Sequence, residues 1–239
     1  MAENHPVLTT ERLILRQFQE ADLGSFADIV ADPEVMRGAS FTGKPLSRAE
    51  AWQWLCVMAG HWRLRGFGMW AVEEKSSGQL IGRIGLQYPD EFPDVEIAWM
   101  LARSFWGRGL AFEGASAAVQ WGFERLGKEK LISLIFPENT RSIRLAGRLG
   151  ESLEGEIELY GRRLLQSSGG LAVINFRGKK TPENKPASSR YPFADNPPHR
   201  APAVAVIVSC PLLASASLPR TARLGARPDP DIPAGLPAA

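Results

Sequence analysis

Two periods of hydrophobic and polar positions run along this chain. Residues 10–16 alternate around Leu13 and Leu15 and predict a first strand. Residues 20–31 place Leu23, Phe26, Ala27 and Val30 on one helical face, with Asp32-Pro33 ending the helix. A loop broken by Gly38, Gly43 and Pro45 leads to Ser47 and Glu50, a capping box for a second helix. There Trp52, Leu55, Cys56 and Ala59 recur at helical spacing. Strands follow at 66–73 and 80–88, paired as a hairpin, and after a further turn at 95–101. Residues 109–126 form a helix that buries Ala111, Ala115, Ala118, Val119 and Gly122 and stops at Gly127. Residues 130–136 are almost continuously apolar, as in a strand covered on both faces. A helix at 138–149 and an alternating strand at 153–160 close the pattern. This order predicts an α/β fold: a central mixed sheet with helices on both faces. The strands on either side of the middle helix should be parallel, joined by a right-handed crossover.

The junction at 96–112 concentrates candidate chemistry. A strand gives way through Trp106-Gly107-Arg108-Gly109-Leu110-Ala111 to a helix N-terminus, where first-turn N–H groups lack intrahelical partners and the dipole is positive. Gly107 and Gly109 let the backbone approach a diphosphate, and Arg108 can add a cation. The same two glycines are equally consistent with a plain tight turn. No Gly-Lys-Ser/Thr and no three-glycine dinucleotide fingerprint accompanies them, so neither ATP nor NAD is favoured.

Composition narrows the classes. The net charge of +2 is uneven: from Gln166 onward Lys and Arg exceed Asp and Glu by five, whereas residues 1–165 carry a surplus of three negative charges. The basic character belongs to the C-terminal stretch and does not mark the folded part as a nucleic-acid binder. Cys56 and Cys210 are far apart and suggest neither a disulfide framework nor a metal site. With no signal peptide and no apolar run near the ~20 residues that cross a bilayer, a soluble cytoplasmic protein without membrane contact is expected.

In order, these residues resemble the GNAT acyltransferase superfamily, and most of all its bacterial ribosomal-protein alanine N-acetyltransferase branch. The similarity is carried by Thr10–Arg16, by Asp32-Pro33-Glu34-Val35-Met36, by Glu96-Ile97-Ala98-Trp99, by Trp106–Ala111 and by Asn139-Thr140-Arg141-Ser142. The resemblance implies a splayed parallel strand pair and acetyl-CoA as co-substrate, with no metal. It places the diphosphate at Trp106, Gly107, Arg108, Gly109, Leu110 and Ala111, with the amides of Gly107, Arg108, Gly109 and Ala111 as the donors. It sets the pantetheine arm against the backbone of Trp99, Met100 and Leu101, and turns Asn139 and Ser142 toward the arm and thioester. The implied activity is N-acetyl transfer to a primary amine (a protein N-terminus, a lysine or a small amine) by a monomer or homodimer.

Amide formation needs a neutral amine, a placed thioester and an exit for the thiolate; placement alone supplies up to roughly 7–11 kcal/mol. The amide of Met100 or Leu101 is expected to polarise the thioester oxygen. Glu96 is the candidate base, set against its reading as a carboxylate at the sheet rim; an ordinary Glu titrates near ~4.3, so a raised pKa or a water is required. Asn139 also suits a helix N-cap. Ser142 is the candidate acid, or a hydroxyl bonded to an upstream carbonyl, because the tyrosine many relatives use is replaced by Ala146. Glu113 is expected to complement the helix dipole, His61 to be structural, and Trp52, Trp54, Trp62 and Trp70 to be core.

Past Tyr160 the resemblance lapses. Residues 161–170 read as polar and Gly-rich, and 171–176 as a candidate replacement for the last strand. The acetyltransferase domain is therefore drawn at 1–176 and a disordered Pro/Ala-rich tail at 177–239, which holds twelve of the eighteen prolines. The tail is either a basic interaction segment or the product of a shifted reading frame. Loss of the last strand and of the tyrosine leaves an alternative function: a CoA-binding module with weak or no catalysis and an incomplete acceptor site. Glu151 is a second departure, a carboxyl where relatives carry an apolar residue, and costly if buried unpaired.

Overall fold

A tight turn after residue 9 doubles the first strand of this computed structural model, which describes residues 5–170. The strands are β1 (Leu8–Thr9), β2 (Leu13–Arg16), β3 (Met69–Glu74), β4 (Gln79–Gln87), β5 (Glu96–Leu101), β6 (Lys130–Ile135), β7 (Ser152–Leu159) and β8 (Arg162–Gly170). The helices are α1 (Leu23–Val30), α2 (Pro33–Arg37), α3 (Arg48–Arg65), α4 (Leu110–Leu126) and α5 (Thr140–Arg148). All eight strands share one mixed sheet in the order β1-β2-β3-β4-β5-β6-β8-β7. Among the described residues only β5 and β6 are parallel neighbours, on either side of α4, as the element order predicts.

Local chemistry explains the boundaries. Ser47 and Glu50 cap α3 reciprocally, and Gly66 ends it in the left-handed conformation. Asp32 accepts from the amide of Glu34, so Asp32-Pro33 opens a short helix as well as closing the one before. The buried face of α3 is Ala51, Leu55, Met58 and Trp62; Trp52 and Cys56, expected inside, are exposed. The two stripes differ by a small rotation of one helix and share Leu55. Periodicity alone does not separate them.

One sheet face packs on α4, with Ile84, Leu86, Ile97 and Leu131 against Ala115, Ala118 and Val119. The small residues of α4 permit this approach: a Cβ on Gly122 would stand 2.8 Å from Leu86 Cδ1. The other face packs on α1–α3 through Met69, Ala71 and Met100.

The largest departure from expectation is at 161–170. The chain there is a nine-residue strand, β8, inserted between β6 and β7 with registers Ile132↔Ser168 and Glu156↔Leu165. Its polar sequence hides it, because backbone pairing does not require apolar side chains, and besides Gly169 its one buried residue is Leu164. β8 passes the 150–151 turn closely: a Cβ on Gly169 would lie 3.2 Å from Glu151 Cγ and 3.3 Å from the carbonyl of Gly150, a tight fit. The last strand is thus present, one segment earlier than proposed. The candidate strand 171–176 and the Pro-rich stretch 177–239 lie outside the described residues.

Candidate active site

The parallel pair β5–β6 opens almost at once. Its one register pair is Glu96↔Ile132, next to a bond from the Ile132 amide to the Val95 carbonyl. Beyond that point β5 stays on β4 through Leu101 while the gap to β6 widens. In an extended strand, alternate residues turn their N–H and C=O groups to opposite sides. The carbonyls of Val95, Ile97 and Leu101 are met by the Ile132 amide, Ser133 Oγ and Trp106 Nε1, whereas the amide of Ala102 donates to Ile81 beside β4. The main chain of Trp99 and Leu101 therefore faces the gap. Met100 turns its main chain to β4 and its side chain into the core under α1–α3.

Beside the gap begins α4. Gly109 is its N-cap at φ 79°, Gly107 lies at φ 74°, and no side-chain hydrogen bond caps the helix. A Cβ at Gly107 would meet nothing within 4 Å, so the main chain is open on that side. The amides of Leu110 and Ala111 stand in this first turn, where a diphosphate would be held. Arg108 is less free than its sequence suggests: it pairs with Glu74 at 2.5 Å and lies over Phe105. Trp106 donates its indole N–H to the Leu101 carbonyl at 2.8 Å and carries Arg141 on its face at 4.6 Å.

Across the gap, Asn139 is the N-cap of α5, accepting from the Ser142 amide at 3.1 Å, and its Nδ2 donates to the Gly38 carbonyl at 3.4 Å. Ser142 Oγ accepts from Trp99 Nε1 at 3.2 Å, which leaves its own proton available to give. Ala146 is buried.

A cleft of about 610 Å³, counting its solvent-open part, joins Trp99, Asn139 and Ser142 to Glu96. Glu96 is buried yet hydrogen-bonded: Gln87 Nε2 donates to Oε2 at 2.5 Å and the Leu134 amide to Oε1 at 3.2 Å. Burial pushes its pKa up to about 7, against the Gln87 and Leu134 donors and the nearby charge of Arg83. A carboxyl so poised takes a proton near neutrality. Glu151 is half-buried, with its carboxyl turned inward: Ser133 Oγ donates to its Oε1 at 2.9 Å, and Oε2 is out of solvent with no hydrogen-bond partner. Its carboxyl too is pushed up to about 7 by burial, opposed by Ser133 and reinforced by the charge of Glu96.

The structure also settles the bland candidates. His61 bridges the Phe67 carbonyl (2.7 Å) and the Tyr88 amide (2.9 Å), and burial lowers its pKa, so it is a neutral structural ring. Trp62 and Trp70 form an aromatic core with Trp121, Trp54 carries Arg83 on its face, and Trp52 is exposed. Glu113 does more than face a dipole: it accepts from Thr10 Oγ1, the Arg12 amide and Arg12 Nε, pinning the β1–β2 turn to α4.

Sequence reasoning missed Gln87, Arg83, Ser133 and Leu164, all of which line the cleft. Two left a trace: Arg83 is a lone charge within the apolar run of β4, and Ser133 a lone hydroxyl within that of β6.

Comparison with known proteins agrees with this geometry. Residues 12–151 match the acetyltransferase (GNAT) domain family. An uncharacterized N-acetyltransferase, p20, of Bacillus licheniformis is 30% identical over 155 residues, 64% of this chain and 86% of that protein. The crystal structure of an acetyltransferase from Agrobacterium tumefaciens superposes with a TM-score of 0.62 at 31% identity, covering 70% of this chain and 96% of that one. The ribosomal L7/L12 α-N-protein acetyltransferase RimL, solved with coenzyme A, shares the fold at 16% identity (TM-score 0.58, 69% and 98% covered). The chain belongs to the GNAT N-acetyltransferases.

Proposed function

We propose that this chain moves the acetyl group of acetyl-CoA to a primary amine (a protein N-terminus, a lysine or a small amine) by direct attack in a ternary complex. The observation that carries this reading is the placing of Glu96. It is a buried carboxyl poised near neutrality, at the apex of a strand gap that runs to an uncapped helix start. Acetyl-CoA, when bound, supplies an activated acyl carbon and a thiolate leaving group. The residues present fit it: amides of Gly107–Ala111 for the diphosphate, and main chain of Trp99 and Leu101 for the arm.

Glu96 takes a proton from the incoming ammonium through intervening water, because five residues of extended strand, about 16 Å, separate it from Leu101, and the neutral amine then attacks. The Leu101 amide is the donor we assign to the thioester oxygen, because that of Met100 is turned to β4. Ser142 gives its proton to the departing sulfur and regains one from solvent. The reading of a CoA-binding module without catalysis loses one of its two supports, since β8 is present and its Leu164 lines the cleft. It keeps the other, the alanine at position 146. Thiol release from acetyl-CoA, followed across a panel of peptides and small amines, decides between them. Release dependent on an amine supports transfer; thermal stabilisation by the coenzyme without release supports the binding module.

A further inference from the structure

Where β5 and β6 part, side chains tie them in place of a regular ladder. On one side the Leu134 amide donates to Glu96 Oε1; on the other Ser133 Oγ lies 3.3 Å from the Ile97 carbonyl and 2.9 Å from Glu151 Oε1. Ser133 alternates with Leu131, which packs in the α4 core, and Glu96 with Met100, which packs under α1–α3. The apex of the gap is therefore gripped by one carboxyl on each sheet face. The reaction proposed above uses the first and has no task for the second.

A serine hydroxyl has one proton to give. With Glu151 protonated, its O–H donates to Ser133 Oγ and Ser133 donates to the Ile97 carbonyl, an unbroken chain from the α5–β7 turn to β5. With Glu151 ionised and its proton lost to solvent, the shorter, charge-assisted bond takes the serine proton. The Ile97 carbonyl then loses that donor.

We propose that Glu151 is a positioning residue for acyl transfer: through Ser133 it fixes the Ile97 carbonyl, and with it the gap that admits the thioester arm, while it holds its proton. This rests on reading the gap as the coenzyme channel. Glu151 meets Glu96 as a charge from β5, Ser133 from β6, Gly169 from β8, and the Ala146 carbonyl of α5, which accepts the Glu151 amide at 3.0 Å. Burial and the Glu96 charge hold the proton on up to about pH 7.

The test is calorimetric affinity for coenzyme A at about pH 6 and about pH 8.5, on either side of the Glu151 titration. In the wild-type chain Kd should weaken about threefold to tenfold toward high pH, the worth of one hydrogen bond. Glu151→Gln keeps an N–H donor for Ser133 at every pH and should give a flat response, as should Ser133→Ala. A Glu151→Gln chain with the wild-type slope, or a flat wild-type response, overturns the proposal and leaves the transferase reading intact. No affinity for coenzyme A at any pH overturns both. If Glu151→Gln does not melt cooperatively, Ser133→Ala carries the comparison.

Discussion

The proposed coenzyme and acceptor ends of the site are built from different materials. The proposed coenzyme end is one contiguous stretch, 106–111, beside the strand gap, and it offers main-chain amides whose directions are set by two positive-φ glycines and the start of α4. The acceptor end is assembled from side chains on β4, β5, β6, β8 and the loop after α2, with Glu96 held by Gln87 and the Leu134 amide. Backbone amides are indifferent to the acceptor and cannot titrate. Buried carboxyls can, so the acceptor end should carry the pH dependence and the choice of amine. Apart from the Glu151–Ser133 link, substitutions at one end should leave the other's signature in place.

Glu96→Gln gives the largest separation. Loss of a general base costs about 10²–10⁴ in rate, whereas affinity for coenzyme A should stay within about threefold of wild type. The acid limb of kcat/KM, which in the wild-type chain rises through about pH 7, should vanish with it. An unchanged profile in the variant would remove Glu96 from the base role.

Stability should divide the ends as well. Glu96 and Glu151 have folded-state pKa values raised to about 7, so the folded chain holds protons that the unfolded chain releases. Their contribution is full below the ordinary carboxylate pKa and is lost as pH rises through about 7. Glu151→Gln removes one of the two and should be the more stable chain at about pH 8, by on the order of 3 kcal/mol at most. Beside α4 the sign reverses. Burial alone would raise the pKa of Glu113, but the Thr10 and Arg12 donors outweigh it and hold the carboxyl low, so Glu113→Gln should cost stability above its titration and little below it. Melting curves across pH for both variants check the opposed slopes, and equal slopes would break the comparison.

This contrast also governs what the sequence made legible. The strand order through β6, the parallel pair and the helix start could be read because each is a local pattern: Gly107 and Gly109 lie beside the amides they free, and Asn139 beside the helix it caps. The acceptor end could not. Gln87 reaches Glu96 only because β4 and β5 pair in that register, and Ser133 reaches Glu151 only because α5 returns the chain to the foot of β6. β8 was missed because a strand with neighbours on both sides is held by backbone bonds, and Gln166–Gly170 offers no hydrophobic alternation. Trp52 reads as core from its helical spacing with Leu55, Cys56 and Ala59, but the helix is rotated slightly so that Trp62, with Ala51, Leu55 and Met58, is the face buried.

Gly107→Asp probes the coenzyme end. Aspartate tolerates the left-handed conformation better than most residues and has open space here, so the fold should survive. Its charge competes with a diphosphate for the same amides and should weaken coenzyme A about tenfold or more in Kd. The pH at which the rate rises should not move, because Glu96 is untouched. A shifted acid limb would show that the two ends are coupled.

Ser142→Ala is the smallest expected effect and the one that bears on both ends at once. The hydroxyl accepts from Trp99 Nε1 and sits above the gap, so removing it deletes a proton donor and a tether of the Trp99 ring. If it protonates the departing sulfur, kcat should fall several-fold, up to about tenfold, since coenzyme A is a good leaving group and water can substitute. The loss should be greater for an acyl donor with a poorer leaving thiol. If the hydroxyl only steadies Trp99, the deficit should appear in KM for acetyl-CoA and be indifferent to the leaving group. Ser142→Thr separates the two further, because it restores a proton while crowding the indole: recovered kcat with raised KM assigns the proton to position 142, and recovery of neither confines the residue to packing.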